Sequence, residues 1–463
     1  MPYMPLIRPM AALILAFLQF PPSATDVPPR VTPPWLAPYH DTANRLIGEA
    51  VGTDAAWQRL AYLGDTFGSR LSGSPNLDAA IKWAAEEMKR DGLENVHLEP
   101  VKVPHWVRGR ESLDIVGPIP QPLVILGLGN SVGTPADGIE AELLVVRSFE
   151  QLDAARDRVK GKIVLFNVPF TNYGETVRFR VEGPPRAGAR GAAAVLVRSV
   201  GPAGLRTPHT GTLVYAEGQP RIPAAAITVE DAARLQRITD RGTTVRLRLK
   251  MEAHFLPDAD SANVVGEIRG RELPDEVVVI GGHLDSWDVG TGSTDDGGGC
   301  IATWEALRMM KKLNLRPRRT VRVVLWTNEE NGGRGGQGYR DRHLAELANH
   351  VMMLESDGGV FRPTGFGFSG SEAARARVRE IAMLLTGIHA GNIGPAGGGA
   401  DIGPSVQHAG MPAMSLEVEG NYFLIHHTPA DTIDKIDPLD IARSSAAIAV
   451  MTYVIADMPE RLR

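Results

Sequence analysis

The sequence predicts an α/β fold with a mainly parallel sheet covered by helices on both faces, and a β-rich domain inserted into it. After Ser261, apolar strand-like segments alternate with helical segments almost to the end of the chain, which is the pattern of a covered parallel sheet. Between 117 and 251, short β-type runs alternate with Gly/Pro turns instead. We therefore divide the chain into the first part of the α/β domain (25–116), an insert (117–251) and the rest of the α/β domain (252–463).

The N-terminus, residues 1–24, has the pattern of a cleaved secretory signal. Arg8 precedes an apolar run over 10–20, and the small residues Ser23 and Ala24 follow it. The run is about half the ~20 residues needed to cross a bilayer. An uncleaved anchor and a frayed tail are the alternatives. We expect a secreted or periplasmic protein without stable membrane insertion after signal removal, because no later segment combines the length and apolarity of a span.

Composition argues against a nucleic-acid partner and excludes stabilisation by an intrachain disulfide. The 463 residues carry a formal net charge of −5, and no clustered basic surface indicates nucleic-acid binding. Cys300 is the one cysteine, so no intrachain disulfide can form. We expect Cys300 to be a buried structural thiol, because no neighbouring pattern marks it as a nucleophile.

The secondary structure follows from apolar spacing. Within 76–93, leucine, alanine, isoleucine and methionine recur at helical intervals until Gly92. The remaining predictions are helices within 40–92, 302–315, 337–350 and 438–456, and strands at 96–103, 162–166, 193–197, 276–282, 320–327, 351–356 and 412–418.

Acids and histidines follow the strands of the α/β domain. Because ligands of such sheets bind outside the carboxyl ends of the strands, we expect these side chains to meet at one edge. The strand at 276–282 leads into His283 and Asp285, that at 320–327 into Glu329 and Glu330, and that at 351–356 into Asp357, while a late loop brings His426, His427 and Asp431.

The segment GGHLDSWDVGTGSTDDGGG (281–299) indicates a cation site. It holds one histidine and four aspartates without a lysine or arginine, and uncompensated acids repel one another. Imidazole together with carboxylates favours zinc over calcium or magnesium. Two zinc ions would balance three carboxylates and one hydroxide, which a partly dry cleft requires.

Four ordered motifs, HLDSWDVGTGSTDDGGG, TNEENGGRGG, ESDGG and HHTPADT, resemble those of the co-catalytic zinc exopeptidases of the bacterial leucyl aminopeptidase type. The resemblance is strongest to the branch that includes carboxypeptidase Q, and the middle block resembles its protease-associated insert. It implies a three-layer α/β/α sandwich with a mostly parallel central sheet, a protease-associated insert and two zinc ions as cofactors.

The resemblance also implies a role for each motif residue. His283 and Asp357 would bind one zinc ion, Glu330 and His427 the other, and Asp295, twelve residues after His283, would bridge both. His427 is preferred over its neighbour as the ligand because it directly precedes threonine in an HTxxDT-like pattern.

Three further roles come from the same resemblance. Asp285 would accept the other N–H of the His283 imidazole and fix its tautomer. Glu329 would be the general base, taking a proton from the bridging water and passing it to the leaving amine. The Asp295–Asp296 peptide bond would be cis. The roles of Asp288, Asp401, Tyr422 and His426 stay open.

The implied activity is hydrolysis of dipeptides or short peptides by an aminopeptidase or dipeptidase. The alternatives are a non-catalytic receptor-like module of the same fold and an aminoacyltransferase of the glutaminyl cyclase type. The sequence leaves open which terminus of the peptide substrate must be free and whether the chain forms a homodimer.

Overall fold

The computed structural model describes residues 32–215 and 217–462. The expected signal at 1–24 lies outside the described residues. The strands are β1 (Glu94–Val107), β2 (Glu111–Gly117), β3 (Gln121–Leu123), β4 (Ile125–Gly127), β5 (Ile139–Val146), β6 (Ile163–Phe166), β7 (Ala194–Arg198), β8 (Ala224–Ile227), β9 (Arg246–Met251), β10 (His254–Ile268), β11 (Leu273–His283), β12 (Arg319–Trp326), β13 (His350–Glu355), β14 (Arg362–Ser369), β15 (Asn392–Gly394) and β16 (Ala413–Glu419).

Three helices lie in the region 40–92 that the sequence predicts to be helical, and the predicted long C-terminal helix is also present. They are α1 (His40–Val51), α2 (Ala55–Phe67), α3 (Pro75–Arg90), α4 (Phe149–Ala155), α5 (Tyr173–Thr176), α6 (Arg178–Val181), α7 (Gly183–Gly188), α8 (Val229–Asp240), α9 (Gly298–Lys312), α10 (Arg334–His343), α11 (Glu372–Ala382), α12 (Gly403–Ala409), α13 (Tyr422–Ile425) and α14 (Pro438–Asp457).

The α/β domain is a layered structure built on one eight-stranded sheet, in the order β1-β10-β12-β11-β13-β16-β14-β15. The four central strands, β12, β11, β13 and β16, are parallel, which confirms the predicted α/β class. The sheet is mixed around this parallel centre, because β10 pairs antiparallel with both β1 and β12, and β14 pairs antiparallel with β16.

Helices cover both faces of this sheet. On one face, α1, α2, α3, α9, α11 and α14 contribute to a large core that includes Trp304 and Met352. On the other, Tyr339 of α10 and Ile402, just before α12, pack with Val279 and Trp326 of the strands. Cys300 lies fully buried in the first core, as a structural thiol should.

The expectation that no segment after the N-terminus combines the length and apolarity of a membrane span is wrong for α14. Among the described residues, α14 is long and apolar enough to cross a membrane, but 83% of its most apolar window is buried inside the fold. It packs against α9, α1 and α2. It also packs against β14, β12 and β11 of the sheet, so its apolarity is that of a helix enclosed inside the fold, which is apolar on all sides.

The middle of the chain forms a second eight-stranded sheet, in the order β3-β2-β9-β5-β6-β7-β8-β4. It begins with β2 at Glu111, six residues before the expected boundary at 117. Two apolar cores of its own lie on its faces, and helices such as α8 pack there, so the segment contains more helix than its β-rich texture indicates. The strands predicted at 162–166 and 193–197 are β6 and β7.

Three strands of the α/β domain, β10, β14 and β15, were not predicted. The run RPTGFGFS, which forms β14, carries a proline and two glycines, residues that weaken strand propensity. In this structure Gly365 approaches Asn392 of β15 so closely that a β carbon would lie 2.0 Å from its carbonyl oxygen. The glycine therefore makes the pairing with β15 possible.

Candidate metal centre

The strand-end residues meet because their strands are neighbours. His283 is the last residue of β11, which lies between β12 and β13. Glu329 and Glu330 follow β12, and Asp357 follows β13. Parallel strands place their carboxyl ends at the same edge, so residues far apart in sequence converge there, as the sequence predicts.

Two clusters share one carboxylate. His283 Nε2 lies 3.3 Å from Asp295 Oδ1 and 3.5 Å from Asp357 Oδ1. His427 Nε2 lies 3.1 Å from Asp295 Oδ2 and 3.1 Å from Glu330 Oε2. Asp295 thus presents one oxygen to each histidine. This is the pairing that the resemblance implies for two ions and a bridge.

The donor set fits divalent cations. His283 Nε2, Asp295 Oδ2 and Glu330 Oε1 are buried without a well-oriented hydrogen bond, and ligand atoms of these three residues lie within 4.8 Å of one another. Buried polar atoms without partners cost free energy. Imidazole nitrogen with carboxylate oxygen is the combination that zinc accepts. The described residues therefore fit the zinc pair that the sequence predicts.

The electrostatics of the clusters favour positive charge. Burial alone would lower the pKa of His283, but Asp295 and Asp357 raise it well above its ordinary value. The pKa of His427 is raised in the same way, against burial, by Glu330 and Asp295 among others. Each cluster thus stabilises a positive charge on its imidazole. A bound cation would compensate the charge of the same carboxylates.

The loop that carries Asp295 is held at its main chain. Asp431 accepts the N–H groups of Thr294 at 2.7 Å and of Asp295 at 3.0 Å. Asp296 accepts the N–H groups of His283 at 3.1 Å and of Gly299 at 3.0 Å, and one of its carboxylate oxygens lies within 4.8 Å of ligand atoms of His283 and Asp357. The Asp295–Asp296 peptide bond is cis, as the resemblance implies.

The role expected for the Asp285 carboxylate is wrong. The Nδ1 atom of His283 lies 2.9 Å from the main-chain oxygen of Asp285 and 3.9 Å from its carboxylate. The carboxylate instead accepts the N–H of Glu329 at 3.1 Å and of Glu330 at 3.3 Å. Asp285 therefore still fixes the imidazole, through its carbonyl, while its side chain holds the next loop.

Glu329 is partly exposed, like Asp357 and His427 of the two clusters. Its side chain is half-buried, whereas Glu330 is buried. Burial raises the pKa of Glu329 well above its ordinary value, and Asp357 and Glu330 raise it further. A partly exposed carboxylate beside the clusters with a raised proton affinity has the properties of a proton carrier.

The structure shows contacts for Asp288 and Tyr422, whose roles the sequence leaves open. Asp288 Oδ2 accepts the Nε–H of Arg108 at 2.8 Å, so it binds a cation of the chain rather than a metal. The Tyr422 hydroxyl donates to Asp357 Oδ1 at 3.4 Å, at the edge of the first cluster.

His426 and Asp401 are buried beside the clusters. The His426 ring stacks on His427 with centroids 4.1 Å apart, and burial lowers its pKa well below the ordinary value. Asp401 has two buried carboxylate oxygens without a hydrogen bond among the described residues. Its main-chain N–H donates to Glu355 at 3.0 Å.

The middle segment also reaches the clusters, which the sequence does not predict. Thr210 donates its main-chain N–H to the His427 oxygen at 2.9 Å, and Arg180 Nη1 lies 3.3 Å from His427 Nδ1. The second sheet therefore contacts the candidate metal centre directly. No motif surrounds Arg180 or Thr210. Both contact His427 only because one sheet packs against the other.

A protein-family model, described as Peptidase family M28, matches residues 263–452. Carboxypeptidase Q of Homo sapiens is 46% identical over 431 residues, covering 92% of this chain and 91% of that protein. The bovine carboxypeptidase Q is 46% identical over 430 residues, again covering 92% and 91%. This chain belongs to peptidase family M28.

The solved structures agree with this assignment. The crystal structure of a peptidase M28 precursor from Shewanella amazonensis has a TM-score of 0.89 at 34% identity, covering 92% of this chain and 98% of that one. A zinc aminopeptidase from Bacillus subtilis has a TM-score of 0.66 at 19% identity, covering 88% and 96%, and shows the shared fold alone.

The chain is therefore a zinc metallo-exopeptidase similar to carboxypeptidase Q, with a pair of zinc ions as its cofactors and a peptide as its substrate. The receptor-like and glutaminyl cyclase-type alternatives are not favoured.

Proposed function

We propose that this exopeptidase hydrolyses dipeptides or short peptides, with His283 and Asp357 as ligands of one zinc ion and Glu330 and His427 as ligands of the other. Asp295 would bridge them. The single observation that carries this assignment is the sharing of Asp295, whose two carboxylate oxygens face the two histidines at 3.3 Å and 3.1 Å.

When bound, the zinc ions supply Lewis-acid polarisation of the scissile carbonyl and lower the pKa of a water molecule. The chain contributes the proton transfers. The Glu329 carboxylate takes the proton from the attacking water and later gives it to the nitrogen of the leaving amine. The same residue can do both because burial and the neighbouring Asp357 raise its pKa, which favours the protonated form that the second transfer requires.

The base assignment is tested with Glu329→Gln. This variant keeps the shape of the side chain and removes its proton affinity, so it should retain both zinc ions and lose turnover by roughly 10²–10⁴-fold. Zinc content by elemental analysis and kcat on a dipeptide are the two measurements. Wild-type turnover in Glu329→Gln would rule out Glu329 as the base.

Substrate choice is tested with two panels on the zinc-loaded enzyme. Cleavage of aminoacyl amides that carry a free amine would assign aminopeptidase activity. Cleavage confined to substrates with a free carboxylate would assign carboxypeptidase or dipeptidase activity, which the names of the carboxypeptidase Q relatives favour.

We also propose export through a signal at 1–24, no membrane insertion afterwards, and a protease-associated insert formed by the second sheet. N-terminal sequencing of the protein from the medium or periplasm tests the cleavage, and fractionation tests the absence of insertion. Light scattering of the purified enzyme distinguishes a monomer from the homodimer that the sequence leaves open.

A further inference from the structure

The inserted segment contains a basic cavity that shares no lining residue with the metal centre. The cavity has a volume of about 460 Å³, and three arginines line it. Arg234 and Arg237 belong to α8, and Arg241 directly follows the last residue of that helix. A cavity of this size is large enough for a small organic molecule.

These three arginines have no acidic partner in the part of the chain that the structure describes, where no carboxylate oxygen lies within 4.0 Å of their side-chain nitrogens. The acids of the same helix bind other groups. Asp231 pairs with Arg206 at 3.0 Å, and Asp240 lies 3.9 Å from Arg147. The helix therefore presents basic groups to the cavity while its acids are engaged elsewhere.

The spacing of the three arginines destabilises the helix that carries them. Arg237 follows Arg234 by three residues, and Arg241 follows Arg237 by four. Like charges at these spacings lie on one helix face and repel one another. The helix dipole favours cations only in the last turn, and Arg234 lies before that turn. An anion in the cavity would remove the repulsion.

The rest of the cavity wall is largely apolar. Pro118 and Ile119, in the turn between β2 and β3, line it together with Ile238 of α8. Ile238 packs against the core of the second sheet, whereas Ile119 is 69% exposed. An exposed isoleucine beside unpaired guanidinium groups fits a ligand that has both an anionic and an apolar part.

The number of guanidinium groups selects the class of anion. A phosphate monoester carries almost two negative charges at neutral pH and has three acceptor oxygens, so it can accept hydrogen bonds from several arginines. A carboxylate carries one charge, and a single guanidinium fork satisfies it. The whole chain has a formal net charge of −5, so attraction of an anion requires a local basic site such as this one.

We propose that this cavity binds a phosphate monoester that carries an apolar group. Arg234, Arg237 and Arg241 bind the phosphate, and the apolar group packs against Ile119. A soluble metabolite and a lipid headgroup both offer this chemistry. The site goes beyond the proposed peptidase activity and does not depend on the assignment of the zinc ligands.

Calorimetric titration of the zinc-loaded, full-length enzyme with phenyl phosphate tests the site. Phosphoryl oxygens also bind zinc, so the difference between wild type and Arg237→Gln isolates the cavity. Arg237→Gln removes charge-assisted hydrogen bonds and should weaken binding there by about 10–100-fold. Arg237→Lys keeps the charge but loses the planar fork, so it should recover only part of the affinity. Turnover of a dipeptide should stay at the wild-type rate in both variants.

The matched control is Arg246→Gln, which removes an arginine of β9 that lies 3.5 Å from Glu140 and does not line the cavity. It should leave the titration unchanged. Benzoate has one charge and inorganic phosphate has no apolar group, so each should bind the cavity more weakly than phenyl phosphate. Identical titrations of wild type and Arg237→Gln, an equal loss in Arg246→Gln, or equally tight binding of benzoate or inorganic phosphate would each overturn the proposal.

Vesicles of phosphatidylcholine with and without phosphatidic acid distinguish the two sources of the ligand, because phosphatidic acid presents a phosphate monoester beside acyl chains. Cosedimentation of wild type, but not of Arg237→Gln, with the phosphatidic acid vesicles would assign the site to a lipid headgroup. Binding of phenyl phosphate without cosedimentation would assign it to a soluble ligand. Absence of both would overturn the proposal.

Discussion

The Asp285 carboxylate lies 3.1 Å from the main-chain nitrogen of Glu329, the residue assigned as the base. The same carboxylate accepts the next N–H of the chain, that of Glu330, at 3.3 Å. One buried acid therefore connects the strand that ends in His283 with the loop that carries the base and a ligand. Four predictions follow from such contacts.

The first prediction concerns Asp285→Asn. The amide can accept from only one of the two N–H groups, and its NH₂ would face the other, donor against donor. We expect about 10–100-fold loss of kcat with zinc largely retained. Steady-state kinetics and zinc analysis measure both. Ser72→Ala is the control, because its hydroxyl lies 3.4 Å from Asp285 but the two main-chain contacts remain. Wild-type kcat in Asp285→Asn would contradict the role.

The second prediction concerns metal removal. Asp295, Glu330 and Asp357 lie close together at the metal centre, so their repulsion destabilises the apo protein. If zinc binds only the folded chain, a free zinc concentration of about 1,000 times its Kd adds about 4 kcal/mol to the free energy of unfolding. We expect a chelator to lower Tm and added zinc to restore it, measured by calorimetry. An unchanged Tm would show that the centre binds no metal. Glu330→Gln should reduce the decrease in Tm that the chelator causes, because the substitution removes one ligand charge.

The third prediction concerns the ion pair of Arg108 and Asp288, whose side chains are 9% and 25% exposed. Asp288→Ala leaves a buried guanidinium with only the more distant Glu111 carboxylate at 3.9 Å, so we expect the free energy of unfolding to fall by about 2 kcal/mol. Denaturant titration followed by tryptophan fluorescence measures it. The control is Glu252→Ala in the pair with Arg110, whose side chains are 91% and 51% exposed, where the change should be under about 1 kcal/mol. Equal effects would contradict the prediction.

The fourth prediction concerns pH. Burial alone would raise the pKa of Glu99, but hydrogen bonds from His343 and His97 outweigh it and lower the pKa from 4.5 to about 2. A carboxylate with a lowered folded pKa stabilises the protein above its unfolded pKa, and this contribution is lost as pH falls toward the folded value. The stability difference between wild type and Glu99→Gln, on the order of 3 kcal/mol above pH 5, should therefore narrow between pH 4.5 and 2.

Denaturant unfolding of both proteins in chelator at pH 5.5 and pH 3 measures this difference without metal release. Glu346→Gln is the control, since that side chain contacts the other nitrogen of His343 but is 61% exposed. Its difference from wild type should change little with pH. An undiminished difference for Glu99→Gln at pH 3 would contradict the lowered pKa.

The predictable parts of the fold and site are those that depend on local pattern. The central strands are continuous apolar runs, so their existence and their polar ends follow from the sequence. The convergence of His283, Glu330 and Asp357 follows from the rule that parallel strands end at one edge. By contrast, the glycines of β14 mask its strand pattern, and they are needed only because β15 lies so close. The composition of α14 resembles that of a membrane span because the helix is enclosed inside the fold.

The sequence by itself determined the α/β class, the residues that gather at the sheet edge and the zinc chemistry of their donors, because these depend on side-chain types at fixed positions along single strands. Only the tertiary structure decided that Asp285 fixes His283 through its carbonyl, that Asp288 pairs with Arg108, and that Arg180 and Thr210 reach His427. Those contacts join segments up to 247 residues apart, and no local periodicity records which distant surfaces come to pack together.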